Sequence, residues 1–241
     1  DAYAAGGTAA IYLLDELGTY DATYQYDPLG MTKYLFYTSE PTVRFANLFS
    51  LESSGEILSS VSFASVNASA SYRVLLAKDL SADTVALTDV AFTEIAGGSL
   101  DSAGYYTVQV PDTVLTGDKY AIQIVLSATD GQKANIPIEA PVAGFSSQNA
   151  KAQTGQSFVT YGDFAFADLT SYAAYANSNV CIKAHTQSAY QGDLALDLES
   201  SLAYDVQPRT DAAALKVALA GKLAQSGGLG RIYSVALMVG E

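Results

Sequence analysis

Tyr105-Tyr106-Thr107-Val108-Gln109-Val110-Pro111, and after a short interval Tyr120-Ala121-Ile122-Gln123-Ile124-Val125-Leu126, decide the fold. In the first run Tyr106, Val108 and Val110 alternate with Tyr105, Thr107 and Gln109. In the second, Tyr120, Ile122, Ile124 and Leu126 supply a period-two apolar face. Successive side chains of an extended chain point to opposite faces, so each run reads as a strand with one face buried. Pro111 is expected to end the first strand, and Leu115-Thr116-Gly117-Asp118 to turn the chain. Beyond them Asp130-Gly131 signals a hairpin and 135–139 is expected to return, with Pro137 placing that return at an edge or bulge.

The same alternation recurs outward from this pair. Val43, Phe45 and Phe49 share a face, with Asn47 as the exception. Val61 and Phe63 mark another strand, and Tyr72, Val74 and Leu76 the next. Residues 84–95 are rich in β-branched and aromatic residues and are expected to form a strand that stops at Gly97-Gly98. Residues 157–168 read as a hairpin closed at Gly162-Asp163, and 178–186 as the last strand of the unit. Near the start, Asp27-Pro28 followed by Gly30 is a turn, and the apolar run 8–14 reads as a strand pairing with 20–26.

Composition shifts after Ala189. Residues 193–199 and 231–239 read as strands. Between them Thr210 suits a helix N-cap, Leu215, Leu219 and Leu223 form a stripe, and Gly227-Gly228 stops the helix. Roughly a dozen short strands separated by turn signals, with almost no helix before residue 210, predict an all-β protein. The expected architecture is a jelly-roll-like β-sandwich over 20–187, preceded by a leading segment 1–19. A small C-terminal strand-helix-strand appendage, or the start of a further domain, follows over 188–241.

The chain of 241 residues is 49% hydrophobic and 15% charged, so it folds rather than staying disordered. Its 25 acidic and 12 basic residues give a net charge of −13, which argues against nucleic acid and anionic membranes as partners and suits solubility outside the cell. One cysteine, Cys181, excludes an internal disulfide framework and a cysteine-based zinc cluster. No apolar run is long enough to span a membrane. The sequence begins at Asp1 without Met or a signal peptide, which predicts release from a longer precursor.

Cys181 and His185 are the single cysteine and histidine, and such a pair can generate a peptidase nucleophile. On a strand they share a face but stand four residues apart, about 13 Å, where a hydrogen bond needs about 3 Å. The expectation is two residues on an outer face and no dyad. A serine nucleophile would need His185 as its base, and no Gly-x-Ser-x-Gly elbow occurs. No Asp-x-Asp-x-Asp calcium loop is present, so no cofactor is expected beyond a structural Ca²⁺ held at a sandwich edge by Asp27 or Asp163 with carbonyls. Aromatic rings beside polar groups are how a β-sandwich holds a sugar. Tyr24, Tyr26 and Asp27 form one such cluster, Tyr161, Asp163 and Phe164 a second, and Tyr172 with Tyr175 a weaker third. The competing reading is that these rings are core or sheet-covering residues.

Six motifs occur in order: Tyr24 through Gly30 (YQYDPLG), Val43 through Phe49 (VRFANLF), Gly104 through Val108 (GYYTV), Leu115 through Tyr120 (LTGDKY), Gly155 through Phe158 (GQSF) and Asn179 through Ala184 (NVCIKA). The series resembles the lectin-like domain that follows the catalytic domain in some secreted or surface papain-like cysteine peptidases of bacteria and archaea. The match covers about residues 20–187. In that family the Asn-Val-Cys-Ile-Lys segment closes the domain and its cysteine is not the nucleophile. The resemblance implies a non-catalytic, secreted or surface-located accessory domain, with an upstream peptidase domain in the same precursor. It would bind glycan or cell-wall material, or position the peptidase. The alternative is a structural or adhesive surface module with no ligand pocket, and a hydrolase is the third class.

Overall fold

The alternating sequence folds into thirteen strands among the described residues of the computed structural model, which are 20–37, 40–129 and 131–188. In chain order they begin with β1 (Ala22–Gln25), β2 (Lys33–Phe36), β3 (Thr42–Ser50), β4 (Ile57–Ser65) and β5 (Ala70–Leu80). Next come β6 (Thr93–Leu100), β7 (Gly104–Val114), β8 (Lys119–Ala128) and β9 (Asn135–Glu139). The last are β10 (Ser157–Tyr161), β11 (Ala167–Asp168), β12 (Asn179–Val180) and β13 (Ile182–Gln187). Every pairing is antiparallel. The strand expected over 8–14 and the appendage expected after 188 fall outside the described residues; β1 pairs with β13.

The strands form a six-stranded sheet in the order β11-β10-β3-β8-β5-β6, a four-stranded sheet β1-β13-β4-β7 and a three-stranded sheet β12-β9-β2. The chain changes sheet between β3 and β4, β4 and β5, β6 and β7, and β7 and β8, the crossing habit of a jelly-roll-like sandwich. One continuous core fills the interior. Phe45, Phe49, Tyr120, Ile122, Ile124 and Leu126 of the six-stranded sheet meet Leu58, Val61 and Phe63 of β4 and Ile136 and Ile138 of β9. Each of these large side chains stabilises the fold by about 1.5–3 kcal/mol of apolar burial. A second, smaller core lies on the opposite face of the six-stranded sheet, where Ala46, Leu48, Ala77, Leu87, Ala121 and Phe158 pack with Phe92 and Phe166.

Four local expectations are corrected. Pro111 does not end its strand: β7 runs on to Val114 past a register shift opposite Leu58 and Ser60, and as an edge strand it has no neighbour to miss the proline N–H. Residues 84–92 are not a strand; β6 starts at Thr93 and passes through Gly97-Gly98. Those glycines leave room for a ring, since a Cβ on Gly98 would sit 3.0 Å from the ring of Tyr72. The 135–139 segment does not return on β8. As β9 it is the central strand of the three-stranded sheet, where Pro137 accepts the Cys181 N–H at 3.1 Å and β12 pairs only with Ile138 and Glu139.

The fourth is the expected strand over 178–186, which divides at Cys181, with β12 joining one sheet and β13 another. Asn47, the polar exception on an apolar face, explains how this crossing is tolerated inside the protein. Its amide donates to Val180 O at 3.3 Å and Ile182 O at 3.2 Å, supplying donors to two buried carbonyls. The Ser157 hydroxyl stands between Asn47 Oδ1 (2.7 Å) and Asn179 Oδ1 (3.0 Å), its single proton serving one at a time.

Candidate functional site

The first aromatic cluster lies in the interior. Tyr24 is 8% exposed; its hydroxyl donates to Glu56 Oε1 at 2.8 Å and accepts Glu52 N–H at 2.9 Å. Tyr26 stacks on Phe49 with centroids 5.1 Å apart and donates to Leu48 O at 2.8 Å. Burial pushes its phenol up to about 12. Asp27 is 1% exposed and pairs with Lys183 Nζ at 3.0 Å, while its second oxygen has no partner. Burial lifts the Asp27 carboxyl to about 6 against the pull of Lys183. These groups tie the β1 end of the sandwich together, with Tyr24 and Asp27 buried and Tyr26 half-buried. Among the described residues no group of three or more His, Cys, Asp or Glu side chains could hold a metal ion, and Asp27 and Asp163 join no such group.

Cys181 and His185 are both buried, so the expected outer-face placement is corrected. The covering side chains explain it. Tyr20 stacks on the His185 ring at 4.4 Å, and Cys181 sits where the chain changes sheet. The ring nitrogens of His185 are taken by Thr23 Oγ1 (3.0 Å) and Ser62 Oγ (2.7 Å), not by the thiol. Burial holds the imidazole down near 4 and drives the thiol well up. Ser62 thus does meet the histidine that a serine nucleophile would need. Yet Ser62 is 1% exposed and also bonds Thr107 at 2.8 Å, and Thr23 rather than a carboxylate orients the ring. The set is a hydroxyl–imidazole chain whose centre, Ser62 and His185, is buried and whose ends, Thr23 and Thr107, reach the surface.

The second cluster opens onto solvent. Tyr37 and Tyr161 rings lie 4.0 Å apart, and Tyr161 and Phe164 rings 4.9 Å apart. Phe164 is 64% exposed. Tyr172 is exposed too and, with Tyr161 and Tyr175, reinforces the upward shift that burial gives the Tyr37 phenol. The weaker third pair of tyrosines therefore joins the second cluster.

Beside this ridge a cleft of about 460 Å³ lies over the outer face of the six-stranded sheet. Register builds its floor. Arg44 of β3 stands opposite Val125 of β8, and Val125 opposite Arg73 of β5. One row along, Ala46, Gln123 and Leu75 face the same way. Its walls are the loops carrying Leu87 to Phe92 and Asp163 to Phe166. Asp89 holds a left-handed φ of 63°, a conformation that Asp tolerates better than most residues. Arg44 Nη2 donates to Gly162 O (2.5 Å) and Phe164 O (3.0 Å), fixing the wall that presents Phe164, and its guanidinium lies 5.8 Å over Phe166.

Two polar groups of the floor lack partners. Arg44 Nε is buried without one, and the side chain of Gln123, a residue 4% exposed, lines the cleft with no hydrogen bond to another side chain or to the backbone among the described residues. A buried donor left unmet, as Arg44 Nε is, costs about 1–3 kcal/mol. Sequence reasoning found Asp163 and Phe164 but missed Arg44, Arg73 and Gln123. They occupy the outward positions of alternating strands, where polar residues are ordinary. The available signal was that both arginines of the strand region fall on that one face.

The antiparallel layers define a jelly-roll-like β-sandwich. The model of the lectin-like domain family matches residues 23–186, and the chain belongs to that family. No curated protein sequence matches it. Among solved structures, the clostridial cysteine protease Cwp84 after propeptide cleavage is 25% identical, with a TM-score of 0.61 over 70% of this chain and 40% of that one. A second structure holds the cysteine protease and lectin-like domains of Cwp84, a surface layer associated protein of Clostridium difficile. It is also 25% identical, with a TM-score of 0.59 over 70% of this chain and 36% of that chain. This chain thus spans about 40% of the relative's length and corresponds to its lectin-like part, not its catalytic domain.

Proposed function

We propose that this chain is a non-catalytic accessory domain of an exported, surface-located cysteine peptidase, and that it holds glycan or cell-wall carbohydrate in the cleft over the six-stranded sheet. The observation that carries this reading is a cleft whose floor brings Arg44, Arg73 and Gln123 together beside the exposed ring of Phe164. A pyranose presents an apolar face and a girdle of hydroxyls, and this cleft offers a ring for the first and free polar groups for the second. Tyr161, Asp163 and Phe164 form the binding edge. Tyr24, Tyr26 and Asp27 support it from the interior, and any Ca²⁺ would rest on Asp163 with loop carbonyls. A glycan array tests the reading: specific binding is expected, lost on Phe164→Ala and Gln123→Ala. An array with no binding by the folded protein would reject it.

A second role, positioning a peptidase domain, is favoured by the relative in which protease and lectin-like domains share one chain. Co-purification of this chain with the peptidase domain of its own precursor would support it. Turnover of casein or polysaccharide by this chain alone would reject the accessory reading.

A further inference from the structure

The cleft is more selective than a generic sugar site. Arg44 and Arg73 flank Val125 in one cross-strand row, so their backbones are two strand spacings apart, about 10 Å. That span suits two guanidiniums reaching one small anion from either side. Among the described residues Arg44 makes no ion pair; its Nη2 donates to two loop carbonyls, and the residue lines the cleft with its positive charge unneutralised by a carboxylate. Arg73 pairs with Glu94 at 3.4 Å, but both side chains are about half exposed, and such surface pairs exchange readily for a better acceptor. In a chain of net charge −13, two of four arginines stand on this one floor.

The walls carry a different chemistry. Asp89 and Asp163 are exposed at the rim and accept hydrogen bonds from hydroxyls, while Phe164 offers a flat apolar face. Gln123, buried between, can donate and accept. A ligand matching all of these has a negatively charged group at the bottom, hydroxyls at the rim and a ring face for stacking.

We propose that the cleft binds saccharides bearing an anionic substituent, a carboxylate or a phosphate, seated between Arg44 and Arg73 with the sugar ring on Phe164. This rests on the reading of the cleft as a carbohydrate site. Guanidinium forks match both oxyanions in two-pronged geometry, which lysine does not reproduce.

The test is an array of uronate, sialylated, phosphorylated and neutral glycans, followed by titration of the tightest ligand. For a carboxylate ligand the comparison is its methyl ester; for a phosphate ligand, the dephosphorylated sugar. Anionic glycans are expected to dominate, with at least tenfold weaker binding once the charge is removed. Affinity should fall as salt rises. Arg73→Gln, at an exposed position, is expected to weaken the anionic ligand at least tenfold, a larger loss than for any neutral sugar. Arg44→Lys keeps the charge, loses the fork and should weaken it too. Preference for neutral sugars, or equal binding with and without the charge, overturns the anionic assignment while leaving the carbohydrate site standing. Absence of any glycan binding by the folded protein overturns both. Whether uronates or phosphosugars bind identifies the source of the anion.

Discussion

Two buried titrating side chains set opposite pH dependences at the residue level. The Asp27 carboxyl stands at about 6 in the fold against an ordinary 3.8, because burial penalises its charge more than Lys183 relieves it. Its contribution to stability is full below the unfolded value and is lost as pH rises through about 6. His185 is held near 4 against an ordinary 6.5 by burial, so its contribution is full above 6.5 and is lost as pH falls through about 4. Between pH 4 and 6 the two slopes oppose one another, each on the order of 2 kcal/mol across the window. Urea denaturation at several pH values should show Asp27→Asn losing stability on acidification more steeply than the parent, and His185→Gln less steeply. Curves parallel to the parent for both variants would contradict the assignment. Asn47→Ala leaves the Val180 and Ile182 carbonyls without their donor and should cost about 2–3 kcal/mol. None of this was legible in the sequence. Asp27 read as a turn residue and Asn47 as a break in a pattern, because burial of a polar side chain depends on strands 130 residues away.

At the scale of elements, strands whose apolar residues strictly alternate were legible and the glycine and proline signals were ambiguous. Tyr120, Ile122, Ile124 and Leu126 face the core as the alternation required, and Gly117 turns the chain at φ +83° as the Leu-Thr-Gly-Asp signal predicts. Gly97-Gly98 was taken for a stop, yet it lies within β6, because the glycines serve the ring of Tyr72 rather than a turn. A local signal cannot distinguish a glycine needed for its backbone from one needed for its absent side chain. The two kinds predict different variants. Gly117→Ala places a Cβ 2.9 Å from the Asp79 Cα at a positive φ, and should destabilise by about 2–3 kcal/mol in urea melts. Gly98→Ala keeps an allowed extended backbone and meets only the Tyr72 ring, so its cost should stay near 1 kcal/mol. Equal costs at the two positions would refute this division.

For the molecule as a whole, the sandwich class followed from strand periodicity, whereas the strand order did not, since partners such as Ala22 and Thr186 lie 164 residues apart and no local pattern encodes them. The cleft was half visible for the same reason. Phe164 and Asp163 are neighbours in sequence, but Arg44, Arg73 and Gln123 converge only through the register of three strands. Cys181 reports on the assembled molecule. It is 1% exposed with its thiol pushed well up by burial, so a thiol reagent should fail to modify it at neutral pH until the sandwich opens. Labelling is expected to track unfolding across a denaturant series, and rapid labelling without denaturant would contradict the buried placement.

The position of β13 bears on how the domain is born. It lies between β1 and β4, and among the described residues it is the strand that β1 pairs with. A growing polypeptide therefore cannot complete this four-stranded sheet until Gln187 has been made, and β1 meets its partner β13 only then. Such a layout postpones closure of this sheet, because the strand pairing that seals it is the most distant in sequence among the described residues, and slow closure of that kind is expected of non-local β pairing.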